Sequence, residues 1–173
     1  MKHLLRVIDI RHYSKDGGLI WQKAETPNVI HADGEFYCLS ALFATLVTSI
    51  PSNYYAGLDN RGVPARGDTL ANLSQEPSQY GYVRQPINSG AGFVISEKSG
   101  VFYATSNVIT FIANGGTWGP VKNIFLSTSL NNGGRLISTA ALDGQHYLNN
   151  GEQLTMRLAL SLRDIPPVTE DGE

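Results

Sequence analysis

Four histidines, one cysteine and a handful of carboxylates are the residues with the chemical means to bind a metal or catalyse a reaction, and their spacing argues against each use. His3, His12, His31 and His146 stand far apart, with no His-x-His and no His-Glu-x-x-His pair to present two ligands on one face. They are expected to be polar surface or loop residues. Cys38 is the single cysteine, which excludes a disulfide within the chain and any cysteine-based zinc site. It lies among Phe36, Leu39 and Leu42 with no basic neighbour in sequence, so a small buried hydrophobe is expected rather than a nucleophile. Asp16-x-Gly18 and Asp59-Asn60-Arg61-Gly62 lack the spaced carboxylates and terminal Glu that calcium needs, and read as turns. The run Gly115-Gly116-Thr117-Trp118-Gly119-Pro120 carries neither a phosphate-loop lysine nor dinucleotide spacing. Its expected role is a bend, with Trp118 plugging the core. Glu76 and Asp68 are the carboxylates to consider as a glycosidase pair, but nothing in the sequence brings them together. The six Phe, eight Tyr and two Trp suit core and interface packing better than a stacking platform for sugars or bases. No catalytic residue, cofactor site or metal site is expected, and the chain reads as a non-enzyme.

The elements that carry these residues are mostly short strands. Leu4 to Tyr13 reads as a strand, and Asp16-Gly17 supplies the positive φ of a hairpin before Leu19–Ala24 returns. From Glu35, the apolar residues Phe36, Leu39, Phe43 and Leu46 recur at three- and four-residue steps. That spacing predicts one amphipathic helix over 34–48, stopped before Pro51 and packing this stripe on a sheet. Beyond Asn53, strands are predicted at Tyr54–Leu58, Tyr82–Ile87, Phe93–Glu97, Val101–Thr105, Val108–Ala113, Val121–Thr128, Arg135–Leu142 and Gln153–Leu162. Asn131-Asn132-Gly133-Gly134 marks the clearest hairpin, and Met156, Leu158, Leu160 and Leu162 alternate as a half-buried strand. The fold class expected is mainly β: a jelly-roll-like sandwich of short antiparallel strands with one α-helix near the N-terminus. Three stretches follow: residues 1–32 as an N-terminal strand and hairpin arm or part of the main sheet, 33–163 as the sandwich, and 164–173 as an acidic, proline-rich tail. The candidate core comprises Phe36, Leu39, Phe43, Tyr82, Trp118 and Phe125.

Composition narrows the function classes. Thirteen Lys+Arg against 15 Asp+Glu give a net charge of -2, and charged residues are 16% of the 173, below the usual share of about a quarter. No basic field exists to draw nucleic acid. Gly, Ser, Asn and Thr together supply 55 residues, a neutral polar coat suited to turns and to lasting contact with other protein. No charge occurs from Phe36 to Leu58, yet Ser40, Thr45, Thr48, Ser49, Pro51, Ser52 and Asn53 break that run, so no membrane span is expected. The first nine residues reach charges before a signal-length apolar run develops, so export is not expected.

One ordered set of motifs resembles a known family. Pro51-Ser52-Asn53-Tyr54-Tyr55-Ala56-Gly57-Leu58, Asp68-Thr69-Leu70, Glu76-Pro77-Ser78, Gly81-Tyr82-Val83-Arg84-Gln85, Val108-Ile109-Thr110-Phe111, Trp118-Gly119-Pro120-Val121 and Ile124-Phe125-Leu126 succeed one another. Together they resemble small virion structural proteins of tailed bacteriophages, variously assigned to head decoration, neck or tail fibre. The opening segment, with its Asp16-Gly17 hairpin, Trp21 and the helix reaching Phe43, is also similar, so the resemblance runs to about Leu162. It implies a virion part, assembled in the bacterial cytoplasm, whose partners are major capsid, neck or tail proteins and copies of itself. It implies no catalytic residue. With neither repeats nor heptads to build a shaft, the expected place is a head- or neck-associated decoration protein. The alternative is a tail-fibre or receptor- or carbohydrate-binding appendage. Within the motifs, Arg84 is expected to pair a carboxylate across strands, and Phe125 to point into the core. Leu4, Leu5, Val7, Ile8 and Ile10 hold too much apolar surface for a bare edge, which makes them a candidate partner-contact arm; the competing expectation is an internal strand paired with Leu19–Ala24.

Overall fold

Alternating apolar and polar residues leave each strand with one face to cover, and two facing sheets cover it. The computed structural model describes residues 5–26, 28–44, 50–73, 75–98 and 100–161. Among these, the strands are β1 (Leu5–Tyr13), β2 (Leu19–Thr26), β3 (Asn28–Ile30), β4 (Asn53–Asp59), β5 (Gln85–Asn88), β6 (Phe93–Lys98), β7 (Val101–Ser106), β8 (Ile109–Ile112), β9 (Trp118–Ser127), β10 (Leu136–Leu148) and β11 (Gln153–Leu160). One sheet runs β2-β1-β11-β7-β6, with β8 also paired to β11; the other runs β3-β10-β9-β4-β5. Every pairing is antiparallel. The protein is mainly β, a sandwich with one α-helix near its N-terminus, as its residue pattern predicts. Val7, Ile10, Leu58, Phe111, Ile124, Leu126, Leu154, Met156 and Leu158 fill the space between the sheets.

Of the two expectations for the N-terminal stretch, the topology shows the internal strand paired with Leu19–Ala24 rather than the free arm. β1 is flanked by β2 on one side and β11 on the other, with Leu5 opposite Leu160 and Ile8 opposite both Arg157 and Glu25. A bulge between Ile8 and Arg11, with Asp9 at φ 51°, adds a residue to the strand and turns Val7 and Ile10 both inward. Both are fully buried in the chain's own core, while Ile8 between them is half-buried. Leu4 and the tail 164–173 lie outside the described residues.

A second correction concerns the helix. The α-helix α1 spans Ala32–Leu39 and continues as a π-helical turn over Ser40–Ala44; Leu46 and the rest of the predicted helix fall outside the described residues. Its buried side is Gly34, Tyr37 and Ser40, not the predicted stripe. Gly34 brings the helix backbone onto Ile137, where a Cβ would stand 2.2 Å from the carbonyl oxygen. Tyr37 reaches inward and its hydroxyl meets that of Tyr54 at 3.1 Å. Phe36, Leu39, Leu42 and Phe43 are consequently 47%, 60%, 61% and 81% exposed. The stripe is real as a periodicity, but it faces out.

Phe125 is also placed differently. Ile124 and Leu126 point between the sheets, so alternation sends Phe125 to the opposite face of β9. There it is fully buried with Leu70, Leu73 and Leu136 in a small second core. Its ring lies on Gly57, the facing residue of β4, where a Cβ would stand 2.1 Å from the ring. Only a glycine leaves room for it.

Candidate functional site

Arg84 covers the Phe125 ring of the second core, and Glu76 links it to Tyr82, which packs against the main core. Arg84 is buried, and its guanidinium lies 5.1 Å from the centre of the Phe125 ring. Its Nε donates to Glu76 Oε1 at 2.9 Å and Oε2 at 3.2 Å, and its Nη2 donates to Oε2 at 2.7 Å. Nη1 donates to the carbonyls of Ser129 and Asn131, both at 3.0 Å, and Nη2 also donates to Asn132 Oδ1 at 2.6 Å. The Tyr82 hydroxyl donates to Glu76 Oε1 at 2.6 Å and accepts from the Leu58 N–H at 2.8 Å. Burial, with the Glu76 carboxylate beside it, holds this phenol well above its ordinary pKa. The Tyr82 ring is half-buried, stacked on Phe111 and edge-on to Trp118 at 5.4 Å between centres. Trp118 is buried, and its indole N–H donates to the carbonyls of Gln79 and Tyr80. The expected cross-strand partner of Arg84 is thus replaced by Glu76, from the loop eight residues earlier. Every nitrogen of the guanidinium is occupied. The knot pins the 75–84 loop to the β9–β10 turn, which is a fold-keeping task.

The remaining chemical candidates are occupied in the same way. His31 is fully buried, its Nδ1 2.9 Å from the Ala65 carbonyl and its Nε2 2.7 Å from Thr139 Oγ1. Nδ1 therefore carries the proton and Nε2 accepts from the threonine, and burial holds the imidazole below its ordinary pKa. His12 is buried too, 3.0 Å from Glu152. Burial alone would raise the Glu152 pKa, but hydrogen bonds from the backbone and side chain of Asn149 and contact with His12 bring it below the usual value. His12, buried on β1, corrects the expectation of surface or loop positions, whereas His31 lies in the connection between β3 and α1, though buried. Cys38 is half-buried, and burial pushes its thiol up. Asp59 is fully buried against Arg61 Nε at 3.0 and 3.2 Å, and Arg61 Nη2 lies 3.2 Å from Asp68. Asp16 stands in the Ser14–Gly18 turn. Glu76 and Asp68, the carboxylates weighed as a pair, each answer to a different arginine. Among the described residues, no group of three or more His, Cys, Asp or Glu is placed to hold a metal ion.

Unsatisfied surface lies instead with apolar side chains, among them Phe36, Leu39, Leu42 and Phe43 on α1 and its π-helical continuation. Residue spacing found these side chains but assigned them to the wrong side. The signal against that assignment was the alternative face, where Gly34 and Ser40 are small enough for close backbone contact. Sequence comparison then decides the family: the model for Podophage GP4 fiber I protein gp80 matches residues 35–160. The chain belongs to this fibre I family. No curated protein matches it. The matched stretch opens just before Phe36 and closes at the end of β11, so it contains the outward helix face, the Arg84 knot and β4 to β11. The resemblance to phage virion structural proteins is thereby shown, and membership in the fibre I family carries a virion structural role without specifying head decoration. Among the described residues, no helix is long and apolar enough to cross a membrane.

Proposed function

We propose that this protein is a globular subunit of a phage fibre-type appendage, holding other virion proteins and copies of itself through protein–protein contact, with no catalytic role. The observation that carries this reading is the match over residues 35–160 to the fibre I family, taken with the apolar helix face inside that stretch. It prefers the fibre alternative to a head- or neck-associated decoration protein. The polar side chains favour the same reading: Glu76, Asp59, Asp68 and His31 hold the fold together, so none is available as an acid, base or nucleophile. The same match supports partners among tail or neck components and a location in the virion. Quantitative mass spectrometry of purified particles, with antibody labelling in electron micrographs, tests it. Low tens of copies or fewer, labelled at the tail, support a fibre-type appendage. Hundreds of copies spread over the head would overturn it in favour of decoration.

A further inference from the structure

The helix α1 with its π-helical continuation is packed inside out for a solitary chain. It buries a glycine, a serine and one tyrosine, and turns Phe36, Leu39, Leu42 and Phe43 to the outside. Together these four side chains leave on the order of 500 Å² of apolar surface uncovered, as large as the biggest patch a typical monomer shows. A stable pair of proteins buries about 800 Å² from each partner, so this face supplies the larger part of one half of such an interface. Its charge pattern says what covers it. From Phe36 to Ala44 the helix and its π-helical continuation carry no charged residue. The charges at the base of the helix are already matched within the chain, Glu35 by Arg66 and Asp33 by Arg135, whose guanidinium lies 4.7 Å from the centre of the Phe36 ring. A face with no charge left to complement is not built for an acidic or basic partner, and it meets its own copy without repulsion.

We propose that two copies of this chain associate through this face, helix against helix across a twofold axis. Phe36, Leu39 and Phe43 follow the three- and four-residue steps of a helical ridge, which can pack antiparallel against the same ridge of a second copy. The proposal rests on the structural-subunit reading and gives it a specific contact.

Sedimentation analysis of the full chain over a range of micromolar concentrations tests it, with Phe43→Glu and Leu39→Glu as separate variants. Ile20→Glu, at the exposed hairpin end of β2, is the control. The wild type and the control should dimerise, while each helix variant should keep its circular dichroism spectrum and bind itself at least about tenfold more weakly. A wild type that stays monomeric overturns the proposal; if that monomer still enters particles, the structural-subunit reading survives and another virion protein covers the face. Helix variants that dimerise like the wild type overturn it as well. Loss of fold in both variants would show the face to be packed within the chain, and that too overturns a dimer built on it.

Discussion

The Arg84 knot and the outer face of α1 reverse the usual placement of side chains. In the knot a guanidinium is buried and a carboxylate and a phenol are half-buried, while on the helix two phenylalanines and two leucines stand in solvent. Burial of Arg84 is tolerable because each nitrogen has an acceptor and Glu76 balances its charge. Among the described residues, only the Arg135 guanidinium over Phe36 offsets the exposure of the helix face. The contrast teaches that hydropathy reports a residue's demand for cover without saying where the cover comes from. A buried polar group must have its partners inside the fold, whereas an apolar face can wait for another molecule.

Substitutions that break this comparison should separate cleanly by size. Arg84→Ala is expected to cost the most, about 3–5 kcal/mol in urea denaturation, because it strands the Glu76 carboxylate and three acceptors in a poorly hydrated site. A loss below about 1 kcal/mol would show that water enters the knot. His31→Ala should cost about 2–4 kcal/mol, since it leaves the Thr139 hydroxyl and Ala65 carbonyl unpaired around a cavity. The same histidine should make stability pH-dependent. Its folded-state pKa lies below the ordinary 6.5, so on acidification the unfolded chain takes up the proton first. The stabilisation is therefore complete above about pH 6.5 and is lost as pH falls through the folded value. Melting temperatures measured between neutral pH and about 5.5, above the range where Glu152 begins to contribute, should fall more steeply for the wild type than for His31→Gln.

Two smaller effects sharpen the other side of the comparison. Gly34→Ala is expected to cost about 1–3 kcal/mol, because its Cβ meets the Ile137 backbone and must lift the helix from β10. Phe43→Ala should change the stability of the monomeric chain by no more than about 0.5 kcal/mol, against about 3–5 kcal/mol for a core phenylalanine. Chemical denaturation at low protein concentration reads this directly. A large loss there would return Phe43 to the core and abolish the contrast.

Strand positions were legible because alternation is local: Met156 and Leu158 against Arg157 announce a half-buried strand wherever its partner lies. So were the hairpin at Asp16-Gly17, the turn at Asn131–Gly134, the helix near the N-terminus and the mainly β class. The short β3 carried too few residues to show a period. The motif around Tyr82 and Arg84 was visible as a motif, and Arg84 as a residue needing a carboxylate. Its partner was not visible, because Glu76 reaches it through a loop whose path depends on the Phe125 core beneath.

What the sequence by itself determined is the inventory of needs: which stretches extend, which turn, which residues require cover, and how little charge there is to attract nucleic acid. Tertiary structure alone decided how those needs are met. Periodicity assigns residues to faces of an element but not the element's orientation. Phe125 therefore went to the far side of its sheet, and Phe36, Leu39 and Phe43 to the far side of their helix. A bulge at Asp9 shifted alternation enough to bury Val7 together with Ile10, and pairing with β11 made a supposed arm into an interior strand. Orientation follows from where a backbone can approach another closely, and here Gly34 on Ile137 and Gly57 under Phe125 set that distance. Such contacts join residues far apart in the chain, so no local pattern contains them.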